Sequence, residues 1–337
     1  MLSYKNIFDS LGLREWCDES KSNSLMSLSQ LRGDIIEWWE LPFPSLDNLH
    51  KACSAIPQTR DLTSSLEAGF LAVRPALRLV LDPLTQPLSW ALEYTLLFFT
   101  TMPWWALVPL ILFIAQFATK SFRITLLVAL SFVFFLFIDH YEYAIQTLSI
   151  IFVCTVLCTL IGIPIGILMS KNDTAQRMIT PVLDMLQTLP TFVYLIPLIF
   201  LFKITEPKLY GLAIMFYSIV PVIRLTNLGI RLVDRNLIEA ADAYGMTARQ
   251  KLINVEIPLA LPNIMAGVNQ TIMMSLAMVV IASLVSAPGL GTLVLDGINN
   301  LRLGVGFVAG FGIVVLAVIL DRISKAALAR IDESRKI

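Results

Sequence analysis

Between two apolar runs, each long enough to cross a bilayer, the chain carries a charged, alanine-rich stretch, EAADAYGMTARQKLINVEIP, at residues 239–258. No other feature constrains the fold as much. Lipid-soluble helices on either side force this stretch into water at the membrane surface. Read locally, it is two short helices joined by a tight turn. Asn236 followed three residues later by Glu239 is the pattern of a capping box. Gly245 suits the left-handed residue that ends a helix. Thr247 with Gln250 forms a second capping box, and Pro258 is expected to stop the second helix. A rigid helix–turn–helix held at a membrane surface suits docking into a groove on a soluble partner. On the plainer reading Glu239 caps, Ala240 and Ala241 favour helix, and Gly245 turns the chain. That explains each residue but not their placement between two spans.

The rest of the chain fits a membrane setting. Of the 337 residues 56% are hydrophobic and only 15% are charged, against about 25% charged in a soluble domain. The charge is balanced, with no basic stripe for nucleic acid. A bilayer core takes about 20 helical residues. Seven runs approach this: 103–119, 122–138, 143–169, 185–202, 209–223, 264–285 and 305–320, the fourth interrupted by Pro190 and Pro197. The chain therefore reads as an all-α polytopic protein of about seven transmembrane helices.

Trp90–Thr101 carries Glu93 and runs into Met102-Pro103-Trp104-Trp105. This pattern fits a helix lying in the interface, with an extra span as the competing reading. Ahead of it, residues 1–87 hold 8 Lys or Arg and 11 Asp or Glu. They are expected to be a polar, partly disordered tail with short helices at 35–41 and 67–81. The start, MLSYKNIFDS, lacks the basic-then-apolar pattern of a cleaved signal peptide, so insertion is expected to use the internal spans. Past residue 87, one set of loops and the C-terminal segment carry 14 Lys and Arg and the opposite set 3. Positive residues stay inside, which predicts a cytoplasmic C-terminus and an external N-terminal tail. Cys17 and Cys53 in that tail could pair if it is exported, whereas Cys154 and Cys158 read as small hydrophobes inside a span.

The spacing Glu239-Ala240-Ala241, Gly245, Val255, Ile257, Pro258 resembles the EAA signature of ABC importer permeases, with Val-x-Ile-Pro where the family has Ile-x-Leu-Pro. Further segments resemble the glycine betaine/proline betaine subfamily: PVLDMLQTLPTFVYLI (181–196), PVIRLTNL (221–228), PNIMAGVNQT (262–271), MVVIAS (278–283) and AVILDRI (317–323). The similarity covers about residues 70–325. It implies the type I importer fold, with a five-helix core shared with methionine importers. The domains would be an external tail (1–87), an interfacial helix and two peripheral spans (88–142), a permease core (143–320) with a cytoplasmic coupling loop (224–263), and a short cytoplasmic helix (321–337). The resemblance implies that Glu239, Ala240, Ala241, Gly245 and Pro258 dock on a cytoplasmic ATPase subunit. The chain has no G-x-x-x-x-G-K-[ST] loop, so ATP is expected on that partner and no cofactor here. It further implies a second copy of the chain, a bilayer, and an extracytoplasmic solute-binding protein. All six Trp precede residue 143. A cage for a quaternary ammonium is therefore expected on the binding protein, which residues 321–337 are too short to supply. The subfamily points to osmoprotection by betaines, with choline, carnitine or histidine as alternatives.

Inside the spans, Gln187, Thr188 and Tyr194 at the broken fourth run, and Asn269 and Gln270 in the sixth, are candidates for the solute path. Interhelical hydrogen bonding is the competing reading for Asn269, Gln270 and Thr271, and a simple kink for the prolines. Gly162/Gly166 and Gly306/Gly310 read as close helix contacts, and Pro288–Gly291 as an external loop. An ion-coupled carrier would favour buried charge on the pathway, and residues 143–320 hold little. No catalytic constellation converges in the spans, so the chain is expected to be a non-catalytic subunit, with a membrane scaffold as the residual alternative.

Overall fold

The computed structural model describes residues 8, 11–12, 43–53 and 55–333. Every regular element among them is helical. In chain order they are α1 (Leu46–Ala52), α2 (Thr59–Thr101), α3 (Trp104–Thr119), α4 (Phe122–Phe137), α5 (Tyr141–Lys171), α6 (Asp173–Thr188), α7 (Thr191–Leu201), α8 (Pro207–Arg231), α9 (Arg235–Ala243), α10 (Ala248–Lys251), α11 (Ile257–Ala282), α12 (Leu290–Asn299) and α13 (Leu303–Glu333). A π-turn, Leu252–Glu256, joins α10 to α11.

The chain divides into two compact units, Met1–Leu79 and Val80–Ile337, with the boundary inside α2. In the first, Ser45 caps α1 and Asp47 accepts a hydrogen bond from Thr59 N–H at 2.9 Å. Cys53 is buried and disulfide-bonded; Cys17 and the helix expected at 35–41 lie outside the described residues. The short helix expected at 67–81 and the interfacial helix at Trp90–Thr101 are parts of the continuous α2. The 87/88 boundary thus falls inside a helix. The helix runs through Pro75, Pro83 and Pro87.

Four helices of the second unit are long and apolar enough to cross a membrane: Tyr141–Lys171, Pro207–Arg231, Ala248–Val285 and Leu303–Ala327. Two bent pairs add to these, α2 with α3 at 113° and α6 with α7 at 98°. The second bend lies at Leu189–Pro190, where the sequence places a break; Pro197 remains inside α7. α13 continues through 321 to Glu333, so no separate C-terminal helix starts there. Large apolar side chains face outward, Phe117 at 69% and Phe137 at 88% exposed among them. In water such a surface would aggregate; in a bilayer it is the solvated face.

In lipid the helices gain little from burying apolar surface against one another, so close packing and polar contacts hold them. α5, α8 and α11 form the centre. A Cβ on Gly166 would lie 2.6 Å from Thr226 Cβ and 2.8 Å from Ile223 O, so α5 and α8 meet there only because residue 166 is glycine. Gly162 packs likewise against Val222. Of the second pair, Gly306 meets Gly297 on α12, whereas Gly310 faces open space. Lys208, 6% exposed, ties α8 to α2 through Asp82 at 2.7 Å, with Glu206 at 3.3 Å and the Phe202 ring at 5.2 Å. Pro288–Gly291 is not an exposed loop. Gly289 is buried with φ +120°, and Leu290 N–H donates to Thr147 Oγ1 on α5 at 2.8 Å, which seats the start of α12.

Candidate functional site

The stretch that opened the sequence reading folds as two arms around Gly245. Asp234, not Asn236, caps α9: its side chain accepts from Asn236 N–H at 2.9 Å. Both residues can cap, and the one preceding the first helical turn takes the role. Glu239 therefore closes no capping box and pairs instead with Arg235 one turn back, at 3.1 Å, on the exposed face. At the other end of α9, Gly245 takes φ +73°. Gly245 N–H donates to Asp242 O at 2.9 Å and Met246 N–H to Ala241 O at 3.1 Å. This is the Schellman pattern, which satisfies the last carbonyls of a helix and needs a left-handed residue. A Cβ at 245 would meet nothing within 4 Å, so the backbone, not packing, requires glycine there.

The second capping box forms as expected. Gln250 N–H donates to Thr247 Oγ1 at 3.4 Å and Thr247 N–H to Gln250 Oε1 at 2.9 Å. Lys251 reaches across to Asp242 at 2.6 Å and clips the arms together. Pro258 does not stop the second helix. The π-turn just before it bonds Ile257 N–H to Leu252 O, five residues back. The widened turn accommodates the proline ring, whose missing N–H and steric demand would break a regular helix. Residues 248–285 thus run without a break from the water-side arm into the membrane.

Glu239, Ala240 and Gly245 face outward, while Ala241, 4% exposed, turns inward. A groove of about 450 Å³ lies between α9 and the second arm, with Leu237, Ala241, Tyr244, Met246, Val255 and Pro258 among its lining. Tyr244 at its rim is 86% exposed. The sequence reading missed Leu237, Tyr244 and Met246; an apolar side chain recurring on a short polar helix was the available signal. The arms are rooted by ion pairs. Arg231 bonds Met169 O at 2.9 Å and Asp173 at 2.6 Å, and holds the Asp173 carboxyl below its usual pKa range. Lys171, the last residue of α5, pairs with Glu256 in the π-turn.

The path candidates are dispersed. Gln187 is half-buried near the end of α6; Thr188 is exposed and donates to Asp184 O at 2.9 Å. Tyr194 is buried, its hydroxyl 3.6 Å from Met278 Sδ. It lines an apolar cavity of about 650 Å³ among α2, α5, α7 and α8 that none of the other four lines. Asn269 donates to Asp321 at 3.2 Å and accepts from Ser324, both on α13. Asn269 thus serves as interhelical glue. Gln270 is exposed on α11. Among the described residues, Ala241 and Pro258 come together at the groove, and Tyr194 lines the apolar cavity without the other four path candidates.

Residues 160–333 match the family described as "Binding-protein-dependent transport system inner membrane component". The chain is 45% identical over 195 residues to the glycine betaine transport system permease protein OpuAB of Bacillus subtilis, covering 57% of this chain and 68% of that one. It is 46% identical over 189 residues to the glycine betaine/proline betaine transport system permease protein ProW of Escherichia coli, covering 56% and 53%. It is 44% identical over 190 residues to the glycine betaine/carnitine transport permease protein GbuB of Listeria monocytogenes, covering 56% and 67%. The chain thus spans about half to two thirds of the length of these relatives. In shape it is similar to a chain of the inward-facing MetNI methionine ABC transporter, at TM-score 0.52 and 18% identity, over 57% of this chain and 95% of that one. The fold is that of a type I importer permease, and the chain belongs to the family of binding-protein-dependent transport system inner membrane components.

Proposed function

We propose that this chain is the membrane-spanning subunit of an ATP-driven importer for a small quaternary-ammonium solute, most directly glycine betaine or proline betaine. The observation that carries the coupling part is the two-armed turn at Gly245, capped at both joints and continuous with a span. Such an element is stiff enough to pass a partner's movement into the membrane. Glu239, Ala240, Ala241 and Gly245, with Pro258 in the groove, form the surface on which a cytoplasmic ATPase docks. A second copy of the chain completes the pore, and a separate external binding protein delivers the solute. The chain performs no chemistry of its own, ATP being bound by the partner. The face bearing Gly245 is cytoplasmic, as is the C-terminus, and the N-terminal segment lies outside. The solute class rests on the relatives named for glycine betaine, proline betaine and carnitine.

The test is uptake of radiolabelled glycine betaine into vesicles containing this chain with its ATPase and binding protein. Uptake that requires ATP and is competed by unlabelled betaines supports the reading. Competition by choline, carnitine or histidine alone keeps the importer and moves the solute. Uptake driven by an ion gradient without ATP would replace the importer with a secondary carrier.

A further inference from the structure

Glu256 is a carboxylate with 2% exposure in the π-turn where the second arm becomes α11. Its Oε2 makes no hydrogen bond of regular geometry among the described residues; what faces it is the ammonium of Lys171. Lys171 is half-exposed and is the last residue of α5. Nearby charges are matched otherwise: Arg231 with Asp173 and Met169 O, Lys251 with Asp242. A buried carboxylate left without its cation is costly, which makes the pair hard to part. Asp242–Lys251 fastens arm to arm, whereas Lys171–Glu256 fastens the second arm to a different span.

We infer that Lys171 and Glu256 are positioning residues forming the fulcrum at which a push on the arm Ala248–Glu256 reaches α5 as well as α11. This rests on the importer reading. If the pair only held the fold together, removing it would lower the amount of assembled complex. A fulcrum predicts a complex that assembles and hydrolyses ATP but moves less solute per ATP.

The experiment uses the full complex in proteoliposomes and reads glycine betaine taken up per ATP hydrolysed, with assembled complex quantified alongside. For Glu256→Gln, which removes the buried charge along with the pair, the ratio is expected to drop about tenfold, with assembly and hydrolysis close to those of the unsubstituted complex. For Lys171→Met, which strands the Glu256 charge, the ratio per assembled complex is expected to drop as far, with less complex assembled. The exchanged pair, Lys171→Glu with Glu256→Lys, is expected to recover most of the ratio. An unchanged ratio in the single variants overturns the proposal. So does a parallel fall of uptake, hydrolysis and assembly, or an exchanged pair that assembles but stays as low as the singles. Should the exchanged pair not assemble, the neutral double Glu256→Gln with Lys171→Met decides. A ratio no lower than in either single supports the link, and additive losses overturn it. An unsubstituted complex without ATP-dependent uptake would instead overturn the importer reading.

Discussion

The two ends of α5 are secured by different chemistry. At Lys171 the neighbours are ionic: Lys171 with Glu256, Arg231 with Asp173, Lys251 with Asp242. Toward Tyr141, beside apolar packing of Tyr141 and Ile145 on Phe132, the polar neighbours are backbone and small groups. Leu290 N–H sits on Thr147 Oγ1, a Cβ on Gly289 would lie 3.0 Å from Thr147 N, and Gly291 packs on Ser283. Long charged side chains can follow a partner over several ångströms by changing rotamer. Contacts made through glycine cannot, because no side chain is there to adjust. The Lys171 end and the two-armed turn can therefore move together as one linked body, and the far end acts as the fixed joint.

The fixed joint is where a substitution costs most. Gly289→Ala places a Cβ against Thr147 in a backbone region that only glycine enters freely, at about 3–5 kcal/mol of strain and clash. Thermal unfolding in detergent should show a large loss, and an unchanged midpoint would refute the rigid joint. Next, Thr147→Val keeps the shape and strands the buried Leu290 N–H, costing about 1–3 kcal/mol. The same assay reads it, and a midpoint equal to the parent's would argue that this bond seats nothing. Third, Gly245→Ala strains the left-handed turn by about 1–2 kcal/mol but meets no neighbour. It should lower the midpoint by only a few degrees, less than Gly289→Ala does, and reduce transport. Loss of fold without a separate loss of coupling would blur the contrast between the two ends. Smallest is Arg235→Ala on the exposed face of α9, worth a few tenths of a kcal/mol at most as an i,i+4 pair. A large stability effect there would show that this exposed pair, and not only the buried one at Glu256, holds the arms.

Much of the turn is legible in the sequence because its signals are local. Gly245 ends α9, and Thr247 with Gln250 opens the next helix, since each is decided within three or four residues. The cap at Asp234 rather than Asn236 shows the limit: two capping residues lay within reach, and the helix began one residue after the first. Pro258 was misjudged because a stop is its usual effect, and nothing in composition announces a π-turn. Partners distant in sequence left no trace. Asp82 and Lys208 are 126 residues apart, and Asn269 and Asp321 are 52 apart. The continuity of α2 through three prolines was equally hidden, since its first half reads as polar tail.

The π-turn also carries a consequence for how the protein can vary. It holds one more residue in its turn than regular winding allows, and each helical residue advances the face by about 100°. Delete one residue from 252–256 and the turn closes as regular helix with its halves nearly in phase, but the Pro258 ring then meets the carbonyl four residues back. Insert one and the halves rephase: with the membrane half held, Lys251 swings away from Asp242, and with the water-side half held, Asn269 swings away from Asp321. The number of residues between Thr247 and Pro258 is therefore itself a constraint. Substitutions there are read one at a time, but a single insertion would be felt along the whole helix without changing any residue that makes a contact, and a deletion would be felt at Pro258.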